Sequence, residues 1–123
     1  MKAVLFVSHG SRIKATCVEI TRQALRLKAK SGVPIWENAF LELNEPSIPA
    51  GIDSCISQGA TEIIVLLNFL HAGSHVLKDI PKLLEDKKFK YPHVRFHMTA
   101  HLGSHPKLEK IFLSEIKKTI SHK

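Results

Sequence analysis

The sequence predicts an α/β fold, a three-layer α/β/α sandwich with a four-stranded parallel sheet. The first observation is that short apolar runs alternate four times with longer stretches of helical periodicity, as in βαβ units. The second is that runs such as Ile63–Leu67 are continuously apolar, which is typical of strands buried on both faces. The third is that Gly32 and Gly59 stand where the first two helices should end.

The first half of the chain contains two strand–helix units. Lys2–Val7 is an apolar run that predicts a buried strand. Helical spacing follows over Ile13–Lys30, with Gly32 placed as the C-terminal cap. The second strand lies within Val33–Leu43, and a short helix capped at Ser47 follows it.

The second half repeats this order. Its predicted elements are a strand at Glu62–Leu67, a helix from about Val76 to Asp86, a strand at Val94–Ala100 and a helix from Pro106 to about Ser121. Pro81 is expected to kink or restart the third helix, because proline lacks the backbone N–H. The basic segment Lys87–Pro92 is predicted to be a loop.

Length and composition fit one domain covering residues 1–123. The chain has 123 residues and is 44% hydrophobic, which is enough for one core. No apolar run approaches the roughly 20 residues needed to span a bilayer, so no membrane association is expected. The two cysteines, Cys17 and Cys55, lie within helical stretches without metal-ligand spacing. A reduced, cytoplasmic protein is therefore predicted.

The net charge of +7 favours an acidic partner. A basic α/β domain that binds nucleic acid is one alternative. However, the lysines and arginines are scattered, and aromatic residues amount to only 7% and do not interleave with them, as base stacking would require. No glycine-rich nucleotide-binding motif is present. We therefore expect neither nucleic acid nor an organic cofactor.

Groups that can ligate a metal or transfer a proton follow every predicted strand. They are His9 after the first strand, Glu42 after the second, His71 and His75 after the third, and His101 after the fourth. Because the carboxyl ends of parallel strands lie along one edge of the sheet, we expect these groups to converge there.

Each group also has a plainer interpretation. His9 could cap the following helix. Glu42 ends an apolar run, so we expect its carboxylate to be partly buried, as suits a general base, although an exposed strand-end glutamate is the alternative. His75, nearer a helix start, is the better ligand, whereas His71 could line the site. His101 could bind substrate or serve in capping, and Gly10 indicates a tight turn or a close approach.

Four motifs, taken in order, resemble the class II chelatases of tetrapyrrole synthesis. They are Val7-Ser8-His9-Gly10-Ser11-Arg12, Phe40-Leu41-Glu42 with Glu45-Pro46-Ser47, Phe69-Leu70-His71-Ala72-Gly73-Ser74-His75-Val76 with Asp79-Ile80-Pro81, and Leu102-Gly103-Ser104-His105-Pro106. The chain is most similar to the short, single-domain CbiX/SirB-type sirohydrochlorin chelatases.

The resemblance implies a chelatase-like lobe that inserts a divalent metal into sirohydrochlorin with release of two protons. Co²⁺ is favoured and would lead to cobalamin; Fe²⁺, leading to siroheme, or Ni²⁺ is the alternative. His9 and His75 match the family's metal-binding pair, and Glu42 matches its acidic residue for metal delivery or proton removal. Further residues of the motif turns are implied to bind metal or tetrapyrrole: Gly10, Ser11, Arg12, His71, Gly73, Ser74, His101 and Gly103.

The short members of the family are similar to one lobe of the larger ones and form symmetric homodimers, so the resemblance also implies a homodimer. A polyanion with eight carboxylates, such as sirohydrochlorin, suits a chain of charge +7. A non-catalytic metal or tetrapyrrole carrier that uses the same histidines is the leading alternative.

Overall fold

The computed structural model describes residues 1–71 and 73–121, except for the side chains of Ser74, His75 and Leu77. Its four strands are β1 (Lys2–Ser8), β2 (Ile35–Phe40), β3 (Glu62–Leu67) and β4 (Arg95–Met98). They form one parallel sheet in the order β2-β1-β3-β4. The predicted parallel α/β sheet is confirmed.

Four helices alternate with the strands. They are α1 (Lys14–Ser31), α2 (Ile48–Ser57), α3 (Ser74–Lys90) and α4 (Pro106–Ser121), with a 3₁₀ turn at Leu102–Ser104 before α4. Gly32 caps α1 with a left-handed φ of 69°, and the Ser47 hydroxyl accepts the backbone N–H of Ala50 at the start of α2. Both predicted caps are confirmed.

The main core lies between one face of the sheet and the helices α2 and α3. Alternate strand residues such as Leu5, Val7 and Val65 pack there against Ile52 of α2 and Ile80 of α3, all fully buried. Because successive strand residues point to opposite faces, Phe6 faces the other side. There its ring lies 5.8 Å from the Trp36 ring, and α1 covers this half of the sheet.

The third helix is longer than predicted. It runs through Pro81 without interruption and includes Lys87–Lys90, which the sequence assigned to a loop. Ile80 and Leu84 are buried in the core on either side of the proline. Lys87 is held by Asp53 of α2, whose Oδ1 lies 2.7 Å from its Nζ. Tertiary contacts thus offset the hydrogen bond that proline removes.

The fourth strand is shorter than the predicted Val94–Ala100. It pairs with β3 only from Arg95 to Met98, because the backbone N–H of Leu67 is bonded to the Thr99 hydroxyl, at 3.0 Å. The Thr99 hydroxyl thus accepts the backbone N–H of Leu67 in place of a backbone carbonyl, and the regular pairing of β3 with β4 ends there. No helix within the described ranges is long and apolar enough to cross a membrane.

Candidate metal centre

A histidine and a glutamate meet at the carboxyl edge of the sheet. Nε2 of His9, directly after β1, lies 2.8 Å from Oε1 of Glu42, two residues after β2. Both side chains are more than half exposed, at 56% and 57%. The predicted convergence of strand ends is therefore confirmed for this pair, which lies open to a ligand arriving from solvent.

Backbone contacts between the two turns hold this pair. The N–H of Leu41 donates to Ser8 O at 2.9 Å, and the N–H of Glu42 donates to His9 O at 3.0 Å. These bonds continue the β1–β2 pairing past the ends of both strands. His9 and Glu42 therefore sit on backbone fixed by sheet-like hydrogen bonds, which favours a constant separation between their side chains.

Gly10 allows the two turns to come this close. Its φ is +108°, and a Cβ built on it would lie 1.9 Å from the carbonyl oxygen of Glu42. No other residue fits, both because L side chains rarely adopt this backbone conformation and because the Glu42 backbone occupies the space. The close approach predicted at Gly10 is therefore made by the backbone of the turn after β2.

Asn44, in the turn that carries Glu42, holds the segment between His9 and α1 in place. Its Oδ1 accepts the backbone N–H of Ser11 at 2.7 Å, and the Ser11 hydroxyl in turn accepts the N–H of Ile13. These two hydrogen bonds fix the backbone of the segment that follows His9. Arg12, three residues after His9, is exposed in this segment.

The turn after β3 adjoins the His9 side of the site. The amide of Asn68 donates to the buried hydroxyl of Ser8 at 3.0 Å, and its backbone N–H donates to Val7 O at 2.8 Å. Phe69 then places its buried ring 6.3 Å from the His9 imidazole in an edge-to-face arrangement. Such contacts restrict the orientation of the imidazole.

The turn after β4 is fastened to the β3 turn. The N–H of Leu102 donates to Phe69 O at 2.7 Å. Gly103 permits a second close approach, since a Cβ there would lie 2.1 Å from the carbonyl oxygen of Leu70. His101, partly buried, lies beside Gly103. All four strand-end turns are thus joined in series along one edge of the sheet.

The remaining predicted site residues are distributed along this edge. His71 and Gly73 are exposed in the turn after β3. Among the described residues no hydrogen bond joins His71 or His101 to the His9–Glu42 pair. The side chains of Ser74 and His75 lie outside the described part, so the predicted His9–His75 pairing stays a prediction. Within the described part, no three His, Cys, Asp or Glu side chains group closely enough to hold a metal ion.

One expectation about this edge is wrong, and one alternative interpretation is excluded. Glu42 is exposed instead of partly buried, because the chain after Leu41 leaves the sheet and its carboxylate faces solvent. His9 does not cap α1, whose N-cap is Ile13 without a side-chain hydrogen bond. The helix after β4 does have a histidine cap, since His105 Nδ1 accepts the N–H of Lys107 at 3.1 Å.

Sequence reasoning missed three residues that position the site, Asn44, Asn68 and Phe69. Asn44 and Asn68 each stand in the turn that follows a strand, and asparagine in such turns commonly bonds the backbone. Their position in these turns could have identified both asparagines from the sequence. No sequence pattern could have identified Phe69, because a buried aromatic beside a strand is expected to pack in the core.

The geometry allows one proton or one metal ion to be exchanged at the pair. An imidazole nitrogen and a carboxylate oxygen at hydrogen-bond distance are ligands that Co, Fe, Ni or Zn accept more readily than Mg or Ca does. They are also a competent acid–base pair. Cys55 is not available as a ligand, because it lies on the buried face of α2, and burial, with the nearby Glu37 charge, raises its pKa to about 12.

The chain is similar in sequence to curated proteins over most of its length. Over 102 residues the chain is 38% identical to a protein of Bacillus subtilis named sirohydrochlorin ferrochelatase, covering 83% of this chain and 39% of that one. It is 39% identical over 84 residues to the sirohydrochlorin cobaltochelatase of Methanocaldococcus jannaschii, covering 68% and 59%. The chain thus spans about half the length of the curated relatives it matches.

Solved structures show the same architecture. The sirohydrochlorin chelatase SirB from Bacillus subtilis subspecies spizizenii, solved in complex with cobalt, superposes with a TM-score of 0.85 at 33% identity, covering 95% of this chain and 50% of that one. A CbiX protein from Marinobacter aquaeolei, at 23% identity, shares the fold over the full length of both chains with a TM-score of 0.82. The CbiX family model matches residues 3–119, and the chain belongs to the CbiX family.

Proposed function

We propose that residues 1–123 form a single CbiX-type chelatase domain that inserts a divalent metal ion into sirohydrochlorin, releasing two protons. The observation that carries the proposal is the 2.8 Å contact between His9 Nε2 and Glu42 Oε1 at the exposed carboxyl edge of the sheet. The names of its relatives, which include both sirohydrochlorin ferrochelatases and cobaltochelatases, support the substrate.

In this proposal His9 and His75 bind the incoming metal ion, which is a substrate. The hydrogen bond between His9 and Glu42 holds one proton between Nε2 and Oε1. A metal ion that binds Nε2 replaces that proton, which leaves to solvent. The Glu42 carboxylate, freed from the hydrogen bond, then accepts the two pyrrole protons one after the other as the metal–nitrogen bonds form, and it passes the first to solvent before it takes the second. Its exposure lets the proton pass on to solvent.

The tetrapyrrole is proposed to lie over the turns that follow the strands. The residues proposed to contact it or to shape its seat are Gly10, Ser11, Arg12, His71, Gly73, Ser74, His101 and Gly103. Arg12, three residues after His9, is exposed, and so is Lys78 of α3. Their charges, on a chain of net charge +7, suit the carboxylates of the substrate.

Co²⁺ is the metal we propose, with Fe²⁺ as the alternative and Ni²⁺ as a further candidate, and no organic cofactor is involved. The 39% identity to the sirohydrochlorin cobaltochelatase of Methanocaldococcus jannaschii supports cobalt. Ligand chemistry does not separate these ions, because imidazole accepts all of them and cells select by supply. We also propose that the protein works as a symmetric homodimer in the cytoplasm.

The test is anaerobic, spectroscopic conversion of sirohydrochlorin by substoichiometric protein with Co²⁺, Fe²⁺ or Ni²⁺. Repeated turnover, fastest with Co²⁺, is expected. Faster turnover with Fe²⁺ would assign the protein to siroheme synthesis. Stoichiometric binding without turnover would make it a carrier of metal or tetrapyrrole and would refute the enzyme.

Variants assign the roles. His9→Ala is expected to lower both the metal affinity and the insertion rate, whereas His93→Ala, an exposed histidine before β4, should change neither. Glu42→Gln should reduce the rate more than the metal affinity, because the amide cannot accept a proton. Equal losses in both would make Glu42 a metal ligand instead of a base.

A further inference from the structure

A small cavity lies on the same sheet edge as the candidate metal centre, at the carboxyl ends of β3 and β4. Its volume is about 230 Å³, whereas pockets that enclose a whole small ligand have volumes of about 300–1,000 Å³. Apolar and polar residues both line it, and they include Leu66, Leu67, Leu102, Thr99, His101 and His105. The cavity therefore has room for one substituent of a larger ligand.

The hydrogen bond that caps α4 fixes the position of the proton on His105. Its Nδ1 accepts the backbone N–H of Lys107 at 3.1 Å. A ring nitrogen that accepts a hydrogen bond carries no proton, so the imidazole is neutral and its one proton is on Nε2. Within the part of the chain that the structure describes, no acceptor bonds this Nε2–H. His105 therefore brings a hydrogen-bond donor of defined position to the cavity.

Thr99 brings a second donor. Its Oγ1 accepts the backbone N–H of Leu67 at 3.0 Å, which uses a lone pair of the hydroxyl and leaves the hydroxyl hydrogen for another acceptor. Among residues 1–71 and 73–121 no hydrogen bond uses that hydrogen. The Ser104 hydroxyl differs, because it already donates to His101 O at 2.8 Å.

The structural roles of these two residues do not use their donors. Capping of α4 explains Nδ1 of His105, and the bond to β3 explains the oxygen of Thr99. Two hydrogens remain, and both belong to residues that line one cavity with leucine in its wall. A mostly apolar pocket with a few placed polar groups is typical of a ligand site. Two donors together suit a carboxylate, which only accepts hydrogen bonds.

The cavity is joined to the His9 side of the metal centre. Leu102, in its wall, donates its backbone N–H to Phe69 O at 2.7 Å. The Phe69 ring lies 6.3 Å from the His9 imidazole. In the sheet only β3 separates β1, which precedes His9, from β4. At about 4.8 Å per strand, the ends of β1 and β4 are about 10 Å apart.

This spacing matches the reach of a tetrapyrrole side arm. From a metal ion at the ring centre, the path to a carboxylate at the end of an arm begins with a metal–nitrogen bond of about 2 Å. About five further bonds of about 1.5 Å follow, so the carboxylate lies roughly 8 Å from the metal. An arm of a macrocycle centred over the His9–Glu42 pair therefore reaches the rim of the cavity.

We propose that the cavity receives one carboxylate arm of the tetrapyrrole, whose oxygens accept hydrogen bonds from His105 Nε2–H and Thr99 Oγ1–H. The inference deepens the proposed function and rests on it for the identity of the ligand. The leucines contact the aliphatic part of the arm and exclude water, which strengthens both hydrogen bonds. Anchoring one arm fixes the rotation of the macrocycle in its own plane, so that its nitrogens face the metal pair.

Two substitutions of His105 separate donation from capping. In His105→Asn the side-chain oxygen takes the place of Nδ1, and asparagine is a favoured N-cap, but no donor remains at the position of Nε2. In His105→Gln the longer amide brings an N–H to that position, but glutamine is not among the favoured N-caps. His93→Asn, at an exposed histidine before β4, is the matched control.

Fluorescence titration of the full chain with metal-free sirohydrochlorin measures the affinity. His105→Asn should bind roughly 10-fold more weakly than the wild type, the usual loss for a hydrogen bond to a charged acceptor, and should keep the wild-type melting temperature. His105→Gln should bind like the wild type and melt lower. Thr99→Val should also weaken binding, whereas Thr99→Ser, which keeps the hydroxyl, should not. His93→Asn should leave both the affinity and the melting temperature unchanged.

The nitrogen-15 shifts of the imidazoles test the contact without turnover. The free protein should show the Nε2–H form of His105, and added sirohydrochlorin should move this signal and leave that of His93 in place. Wild-type affinity in His105→Asn, or weak binding by His105→Gln alone, would assign His105 to capping and overturn the inference even if metal insertion is observed. Weakened binding by His105→Asn in a protein that inserts no metal would refute the proposed enzyme and support this inference.

Discussion

Substitution of Gly10 by alanine should separate the two turns that carry His9 and Glu42. A Cβ at position 10 would lie 1.9 Å from the Glu42 carbonyl oxygen, and real Cβ contacts essentially never fall below 3.0 Å. The turns must therefore move apart by about 1 Å, since the packed backbone cannot be compressed. That movement breaks the hydrogen bond from Glu42 N–H to His9 O.

Gly59 provides a matched control. Its φ of +106° is nearly that of Gly10, but a Cβ there meets nothing within 4 Å. Both alanine variants carry the same backbone strain, about 1–3 kcal/mol. Only Gly10→Ala adds overpacking, about 1–3 kcal/mol, and a lost hydrogen bond, about 0.5–1.5 kcal/mol.

Urea unfolding at one protein concentration measures the difference. We expect the midpoint of Gly10→Ala to lie roughly 1 M below that of Gly59→Ala, given slopes of about 1–3 kcal/mol per M. Co²⁺ affinity, by calorimetry, should fall for Gly10→Ala only, and a 1 Å displacement can lower the insertion rate by about 100-fold. Equal midpoints and an unchanged affinity would refute the argument that the close approach builds the site.

Three further predictions concern the rest of the fold. Burial acts to raise the pKa of Asp53, but the hydrogen bond and charge of Lys87 outweigh it and hold that pKa below its ordinary value. The pair therefore stabilises the protein above pH ~4, and this stability is lost as pH falls through the folded-state pKa. Lys87→Met should remove less than about 1 kcal/mol, because the Asp53 carboxylate is 43% exposed; a variant loss that is the same at pH 3 and pH 6 in chemical denaturation would contradict this. At pH 8 iodoacetamide should modify Cys17 and spare Cys55, whose pKa is raised to about 12, as mass spectrometry of native and unfolded protein can establish; rapid labelling of native Cys55 would be the contrary result. Ile80→Ala should lower the free energy of unfolding by about 2–5 kcal/mol, since the side chain is fully buried between α3 and the sheet, and a loss under 1 kcal/mol would show that the core there is loosely packed.

Much of the architecture was predictable because it depends on local spacing. The apolar runs place β1 and β3 within a residue of their observed ends, and Ser47 and Gly32 act as the expected caps. Secondary-structure propensity gave a wrong prediction where tertiary contacts oppose it. Pro81 and the lysine-rich segment after it belong to one helix, because the buried Ile80 and Leu84 hold that helix on the sheet.

The site was predictable in its residue types and only partly in its geometry. His9 and Glu42 follow neighbouring strands, so their meeting follows from the strand order. The exposure of Glu42 did not follow, because it depends on how the chain turns after Leu41. The supporting role of Asn44 depends on a contact across 33 positions of the sequence, which no local pattern encodes.

The sequence by itself determined the parallel α/β architecture, the placement of histidines and a glutamate after the strands, and the resemblance to the chelatases. These are properties of periodicity and motif, and each is carried by residues near one another in the chain. Only the tertiary structure decided the close approaches at Gly10 and Gly103 and the lack of any buried residue on α4. The physical reason is that register and packing bring together groups whose sequence separation leaves their distance undetermined.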